Sequence, residues 1–132
     1  MRAKATQYWH YTFRSRLEAY VCEYIYLKFS PEVLEYEPKH FSTTSYVPDF
    51  IVSSNTYHFA VEVKPLLEKA DWPKYIEWMG TFTTIEALFV FTKDDWEMLD
   101  NKGNKAVGKL DKLVYFQAVN NVKEYLRNTF QE

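Results

Sequence analysis

Three charged residues lie at the end of a predicted β-hairpin: Asp49, Glu62 and Lys64. The two strand-like segments read YVPDFIV and YHFAVEVK, and the polar stretch SSNT between them is typical of a turn. In the second segment His58, Ala60, Glu62 and Lys64 alternate with apolar residues and so point to one face. If the strands pair, two carboxylates and one ammonium group converge on that face.

Two carboxylates and an ammonium group are suited to metal-assisted hydrolysis of a phosphodiester. Mg²⁺ prefers oxygen ligands, and Asp49 and Glu62 could supply carboxylates while the Val63 carbonyl supplies a further oxygen. Such an ion lowers the pKa of a bound water and stabilises charge on a phosphate oxygen. Lys64 would orient that water, offset charge in the transition state, or act as a base if its pKa were depressed. The spacing alone leaves a second interpretation open, an ordinary solvated sheet face with an ion pair.

The composition restricts the class of protein. A chain of 132 residues that is 19% aromatic and contains three glycines predicts a single domain, residues 1–132, with a buried core. The formal charge of −2 argues against a general polycationic nucleic-acid binder but allows a local basic patch. The one cysteine, Cys22, excludes an intramolecular disulfide. Without a membrane-length apolar run or a signal-peptide pattern, the sequence predicts a soluble cytoplasmic protein that does not engage a membrane.

Hydrophobic periodicity predicts the elements that position the charged residues. The expected helices are residues 15–29, 71–82 and 119–130. The expected strands, besides the hairpin, are residues 33–41 with Pro38 at an interruption or an edge, the apolar run 87–92, and residues 113–117. Trp72, Ile76 and Met79 are expected on one face of the second helix, and residues 101–111 are expected to form a loop. The predicted class is α/β, with helices covering a small mixed sheet.

These linked elements resemble the PD-(D/E)XK nuclease superfamily over about residues 13–92. Pro48-Asp49 and Glu62-Val63-Lys64 match its defining positions, and FRSRLEAYVCEYI resembles the first helix of that fold. EYEPKHF followed by YVPDF is similar to phage junction-resolving endonucleases of the endonuclease I type. The EVKP ending is similar also to the end-cleaving nuclease subunits of heteromeric transposons. The resemblance implies a restriction-endonuclease-like three-layer core, αβββαβ, with an added C-terminal helix.

The resemblance also implies a function. The expected activity is that of a Mg²⁺-dependent DNA endonuclease from a phage or mobile element, with Mn²⁺ as a substitute, acting on branched or distorted DNA. Its expected catalytic residues are Glu18, Asp49, Glu62 and Lys64, with Glu18 as a further metal ligand or as the group that orients a metal-bound water. A homodimer is possible because many relatives are dimers. The alternatives are a transposon-type subunit that needs a transposase-type partner, and a binding module with a nuclease fold but no turnover.

Glu18 has a second interpretation in the residues themselves. Ser15-Arg-Leu-Glu18 fits a capping box, in which the serine caps the helix and the glutamate reaches back to its backbone N–H. The residues alone do not choose between a cap and a metal ligand. Among the rival acids, Glu23 lies five residues further along the helix and faces elsewhere. Glu35 and Glu37 are expected at solvated strand positions and remain secondary candidates.

Basic residues provide candidate contacts to a DNA backbone. The N-terminal segment contains Arg2, Lys4, Arg14 and Arg16 and no acid among its first seventeen residues. The expected loop contributes Lys102, Lys105 and Lys109, and Lys69 and Lys74 follow the second hairpin strand. The alternative for the loop lysines is that they only keep an exposed segment solvated.

Overall fold

The computed structural model describes residues 6–8 and 11–130. In chain order the elements are β1 (Thr6–Tyr8), β2 (Tyr11–Phe13), α1 (Arg16–Phe29), β3 (Val33–Tyr36), β4 (Phe50–Ser53), β5 (His58–Val63), α2 (Trp72–Thr81), β6 (Ala87–Phe91), β7 (Asp95–Asp100), β8 (Lys105–Lys109) and α3 (Lys112–Phe130). The chain divides into two compact units. The terminal unit contains the residues up to 30 and those from 110 onward, and the central unit is residues 31–109. The expectation of a single domain stays a prediction.

Helix α1 begins and ends as its sequence predicts. Ser15 is the N-cap in an extended conformation, and its Oγ accepts a hydrogen bond from the Glu18 N–H at 3.1 Å. Ser30 adopts the left-handed conformation, with φ of 45°, and its N–H closes the last turn on the Tyr26 carbonyl. The predicted helix at 15–29 is therefore confirmed.

Helix α3 packs against α1 and replaces a predicted strand. The expectation of a strand at 113–117 is wrong, because one helix runs from Lys112 through the predicted helix at 119–130. Asp111 starts it, since its carboxylate accepts from the Val114 N–H at 3.3 Å. Tyr115, Ala118 and Val122 are buried, at the i, i+3, i+7 spacing of one helical stripe. Of the short apolar run LVYF, Tyr115 belongs to this stripe, whereas Leu113 and Phe116 are exposed, so the run forms part of a helix and not of a strand.

The central unit contains a six-stranded mixed sheet with the order β3-β4-β5-β6-β7-β8. Only β5 and β6 pair in parallel, and α2 lies between them in the chain as the crossover. The predicted hairpin, the second helix and the central strand at 87–92 are confirmed. Strand β3 lies at an edge as expected, but it ends at Tyr36, and residues 39–41 after Pro38 form a 3₁₀ turn. The coarse α/β class is thereby confirmed.

One face of the sheet is covered by α2. Tyr75, Trp78 and Met79 are buried, and they join a core that includes Ile51, Ala60, Leu88, Val90 and Leu99. Ile76 is 52% exposed, although it shares a helical face with Trp72 and Met79. The large rings of Tyr75 and Trp78 fill the core at i, i+3, and the Trp78 indole N–H donates to the Phe41 carbonyl at 2.6 Å. This rotation of the helix leaves Ile76 outside.

Strands β7 and β8 form a hairpin where the sequence predicted a loop. The prediction for 101–111 is wrong because only the turn between the two strands is irregular. Asp100 closes that turn, since its carboxylate accepts from the backbone N–H groups of Lys102 and Asn104. Gly108 lies opposite Trp96, whose ring would be 2.3 Å from a Cβ at that position. The aromatic ring therefore packs over a glycine, a pairing that periodicity does not reveal.

None of the helices within the described residues has the length and apolar character that crossing a bilayer requires.

Candidate metal centre

The hairpin register brings Asp49 and Glu62 together. Phe50 pairs with Val61 and Ile51 with Ala60, so continuing the antiparallel register by one residue sets Asp49 opposite Glu62. Directly opposed residues share a face of the sheet, with Cβ atoms about 5 Å apart. The neighbouring pair on that face, Ile51 and Ala60, belongs to the core beneath α2. The two carboxylates thus lie where the apolar face ends.

Asp49 is held rigidly although it is charged and buried. Its side chain is only 1% exposed, and its Oδ2 accepts from the Val63 N–H at 2.7 Å. Its own carbonyl accepts from the Glu37 N–H at 2.8 Å, which ties the residue to the segment after β3. A buried carboxylate is costly unless hydrogen bonds compensate it. The backbone of β5 therefore fixes Asp49 in place.

Glu62 has a partner that sequence reasoning missed. The Tyr46 hydroxyl donates to Glu62 Oε1 at 2.6 Å. The Tyr46 ring is itself buried, edge-on to Tyr75 at 5.1 Å and to Trp78 at 6.2 Å between ring centroids. A buried phenol needs a polar partner. The only signal in the sequence for this contact is therefore the position of Tyr46, three residues before Asp49.

Burial and the negative charge of this region raise the pKa values of two tyrosines. Burial raises the pKa of Tyr46, and the charge of Glu62, its hydrogen bond and the charge of Asp49 raise it further. Burial also raises the pKa of Tyr75, followed by the charges of Glu62, Asp71 and Asp49. Both phenols are therefore neutral donors beside concentrated negative charge. Carboxylate oxygens are the type of ligand that a hard cation such as Mg²⁺ prefers, and Asp49 and Glu62 supply two such groups.

Lys64 is paired with an acid that the sequence did not single out. Its Nζ lies 2.8 Å from Asp71 Oδ1, and the Lys74 Nζ lies 3.9 Å from the same oxygen. The hydrogen bond from Lys64 lowers the pKa of Asp71, and the hydrogen bond from the Glu68 N–H lowers it further. Asp71 immediately precedes α2 and forms a capping box with Glu68. From the sequence alone it therefore looks like an ordinary helix-capping residue.

Glu18 belongs to the terminal unit and is satisfied by its own chain segment. Its Oε1 accepts from the Arg14 N–H at 2.8 Å, and its Oε2 pairs with the Arg14 guanidinium at 3.1 Å. Its place in an acidic cluster stays a prediction, as does the Val63 carbonyl as a ligand. Over residues 6–8 and 11–130, no three His, Cys, Asp or Glu side chains form a group that could hold a metal ion. The candidate centre is therefore a carboxylate pair.

The predicted DNA-contacting residues differ in their surroundings. Lys74 lies 5.7 Å from the centre of the Tyr46 ring and 5.4 Å from that of Tyr75. Lys105 lies 4.4 Å above the Trp72 ring, which is edge-on to Tyr75 at 5.7 Å. These two lysines therefore border the aromatic residues around the carboxylates.

The other candidate residues are placed differently. Lys109 pairs with Asp95 at 3.7 Å, and Arg14 is engaged by Glu18. Lys69, Lys102 and Arg16 are exposed, whereas Arg2 and Lys4 lie outside the described residues.

Comparison of the chain with protein-family models, with curated proteins and with solved structures finds no match in any of the three. The resemblance to PD-(D/E)XK nucleases stays a prediction.

Proposed function

We propose that the protein is a Mg²⁺-dependent DNA endonuclease whose metal ligands are Asp49 and Glu62. The observation that carries the proposal is the buried Asp49 carboxylate, fixed by the Val63 N–H and set in register opposite Glu62. Like charges placed side by side in a low-exposure environment destabilise a fold, and such arrangements cluster at functional sites. A divalent cation would offset that repulsion.

Each polar group near the carboxylates has a role in this proposal. Bound Mg²⁺ would stabilise charge on a phosphate oxygen and lower the pKa of a bound water. The Val63 N–H and the Tyr46 hydroxyl orient Asp49 and Glu62, as partners of metal ligands do in other sites. Lys64 offsets charge in the transition state or orients the attacking water, with Asp71 fixing its ammonium group.

The substrate we propose is branched or distorted DNA. Lys74 and Lys105 border the site and provide phosphate contacts that carry no sequence information. Sequence-specific readout usually buries about 1,000 Å² or more of protein surface. A chain of 132 residues with a formal charge of −2 has few elements left for reading bases, so recognition of DNA shape is the economical mode.

A second candidate is a DNA- or protein-binding module that has kept the site without turnover. The pairing of Lys64 with Asp71 favours this alternative, because the ammonium group is already 2.8 Å from a carboxylate outside the predicted set. It would then serve the start of α2 and not a scissile phosphate.

The test is cleavage of a four-way junction and of a linear duplex with the same arm sequence, in Mg²⁺ or Mn²⁺ and at fixed salt. Wild-type protein should cut the junction faster, and Glu62→Gln should cut neither. Equal rates on both substrates would remove the junction preference but leave the nuclease. Metal-dependent binding without cleavage would support the binding module. Cleavage only after addition of a transposase-type protein would indicate the transposon-type subunit.

A further inference from the structure

Tyr75 carries a buried hydroxyl group that the fold does not satisfy. The residue is 0% exposed, and its hydroxyl has no hydrogen-bond partner among the described residues. Most buried polar side-chain atoms have at least one partner, because an unsatisfied one costs stability. Phenylalanine would fill the same position in the core without that cost. The presence of the hydroxyl therefore needs an explanation beyond packing.

The surroundings of Tyr75 connect it to the candidate metal centre. It lies four residues after Asp71, the partner of Lys64, and its ring contacts that of Tyr46, the partner of Glu62. Lys74 lies 5.4 Å from the centre of the Tyr75 ring. Burial raises the pKa of its phenol, and the charges of Glu62, Asp71 and Asp49 raise it further. The group is thus a neutral donor among carboxylates.

We propose that the Tyr75 hydroxyl positions an oxygen atom bound at the Asp49–Glu62 pair by donating a hydrogen bond to it. The oxygen belongs either to a metal-bound water or to a phosphate group of DNA, and both accept such a bond. A neutral phenol can donate beside a cation without repelling it, which a lysine cannot do. This inference rests on the function proposed above. It assigns Tyr75 a positioning role that the sequence did not suggest.

The test compares Tyr75→Phe with wild type and with Tyr57→Phe. The first variant removes one hydroxyl and keeps the ring in the core. The second makes the same change at Tyr57, which immediately precedes β5, is only half-buried and has its ring tilted against that of Phe59, with 5.3 Å between ring centroids. Three quantities are measured for each protein: the melting temperature, the affinity for MgCl₂ by calorimetry, and the affinity for a four-way junction in Ca²⁺.

We expect Tyr75→Phe to melt at the wild-type temperature or above it, because no bond to the protein is lost. It should bind one of the two ligands about tenfold more weakly, as the loss of a hydrogen bond to a charged partner predicts. Tyr57→Phe should match wild type in both affinities. A loss confined to MgCl₂ identifies a metal-bound water, and a loss confined to the junction identifies a phosphate oxygen.

Unchanged affinities for both ligands in Tyr75→Phe would overturn the inference while leaving the metal site in place. A lower melting temperature with unchanged affinities would overturn it too, because the hydroxyl would then be structural. Wild-type protein that binds neither MgCl₂ nor the junction would overturn both this inference and the proposed function.

Discussion

Asp49 and Glu18 are two buried carboxylates that the same chain holds in different ways. The donors to Glu18 come from Arg14, four residues away, through its backbone N–H at 2.8 Å and its guanidinium at 3.1 Å. A donor to Asp49 is the Val63 N–H at 2.7 Å, fourteen residues away on the neighbouring strand. Glu18 is thus neutralised within its own turn. Asp49 is fixed by the sheet and lies opposite a second carboxylate.

The contrast separates a structural carboxylate from a candidate functional one. Ser15 and Glu18 at the first turn of α1 stabilise the helix, because a cap satisfies exposed N–H groups and a negative charge favours the helix N-terminus. A carboxylate set beside Glu62 brings like-charge repulsion instead. Helix capping accounts for the first arrangement, whereas for the second we propose a bound cation.

The largest expected effect is on cleavage. Asp49→Asn keeps an acceptor for the Val63 N–H but removes the charge, so it should lower the metal-dependent rate by about two orders of magnitude or more. Glu18→Gln should lower the rate less, since Glu18 lies in the other unit and is held by Arg14. Glu124→Gln on the exposed surface of α3 is the control and should cut at the wild-type rate.

Two outcomes would change this account. A wild-type cleavage rate in Asp49→Asn would remove the metal site from the hairpin. A wild-type rate in Glu18→Gln would show that Glu18 is not in the catalytic set that the resemblance implies. Glu18 would then have only its role in capping the helix.

The effects of the two carboxylates on folding stability should have the opposite order to their effects on the cleavage rate. Glu18→Ala leaves the Arg14 N–H without this acceptor and should lower the free energy of unfolding by about 1–3 kcal/mol. Asp49→Asn relieves repulsion from Glu62, so its free energy of unfolding in metal-free buffer should equal or exceed that of wild type. Urea denaturation measures both. If Asp49→Asn lost more stability than Glu18→Ala, the assignment of the two roles would be reversed.

The basic residues allow a further comparison. Lys74 and Lys105 border the aromatic residues around the site, whereas Lys109 pairs with Asp95. Each lost phosphate contact should reduce the slope of log affinity against log salt by about 0.9. The double variant Lys74→Ala/Lys105→Ala should therefore flatten the slope of DNA binding more than Lys109→Ala does. Equal slopes in both variants and in wild type would show that these lysines only solvate the surface.

The smallest expected effect is the dependence of stability on pH at Asp71. Because Lys64 lowers the pKa of Asp71 in the folded protein, this carboxylate stabilises the fold fully above its ordinary value of 3.8. The contribution is lost as the pH falls from there toward the lower folded value. Asp71→Asn should lose stability less steeply below about pH 4 than wild type. A decline in Asp71→Asn that parallels the decline in wild type would contradict the ion pair.

The sequence predicted the elements whose signals are local. Alternating residues predicted the β4–β5 hairpin, and a cap with helical spacing predicted α1. It failed where a pattern depended on partners far along the chain. Lys105–Lys109 looks like part of a loop because of its lysines and glycine, and it becomes a strand because it pairs with Asp95–Asp100, where Trp96 packs over Gly108 and Asp100 closes the turn.

The same limit applies to the candidate site. The face shared by Asp49 and Glu62 follows from strand alternation, so the sequence could pair them. Three residues gain their roles only in the folded chain. The Tyr46 hydroxyl contacts Glu62, and the Asp71 carboxylate contacts Lys64. The Tyr75 phenol is buried and has no hydrogen-bond partner among the described residues. A tyrosine on an apolar helical stripe is ordinarily a core residue, and its hydroxyl carries no signal in the sequence.

Calorimetric titration of the metal-free protein with MgCl₂ tests the central claim most directly, since it requires neither DNA nor turnover. Wild-type protein should bind the ion, and Asp49→Asn and Glu62→Gln should each bind it at least about tenfold more weakly, because each removes one of two charged ligands. Glu124→Gln should bind like wild type. Equal binding of Mg²⁺ by wild type, Asp49→Asn and Glu62→Gln, or no binding by wild type, would contradict a metal centre at these two carboxylates.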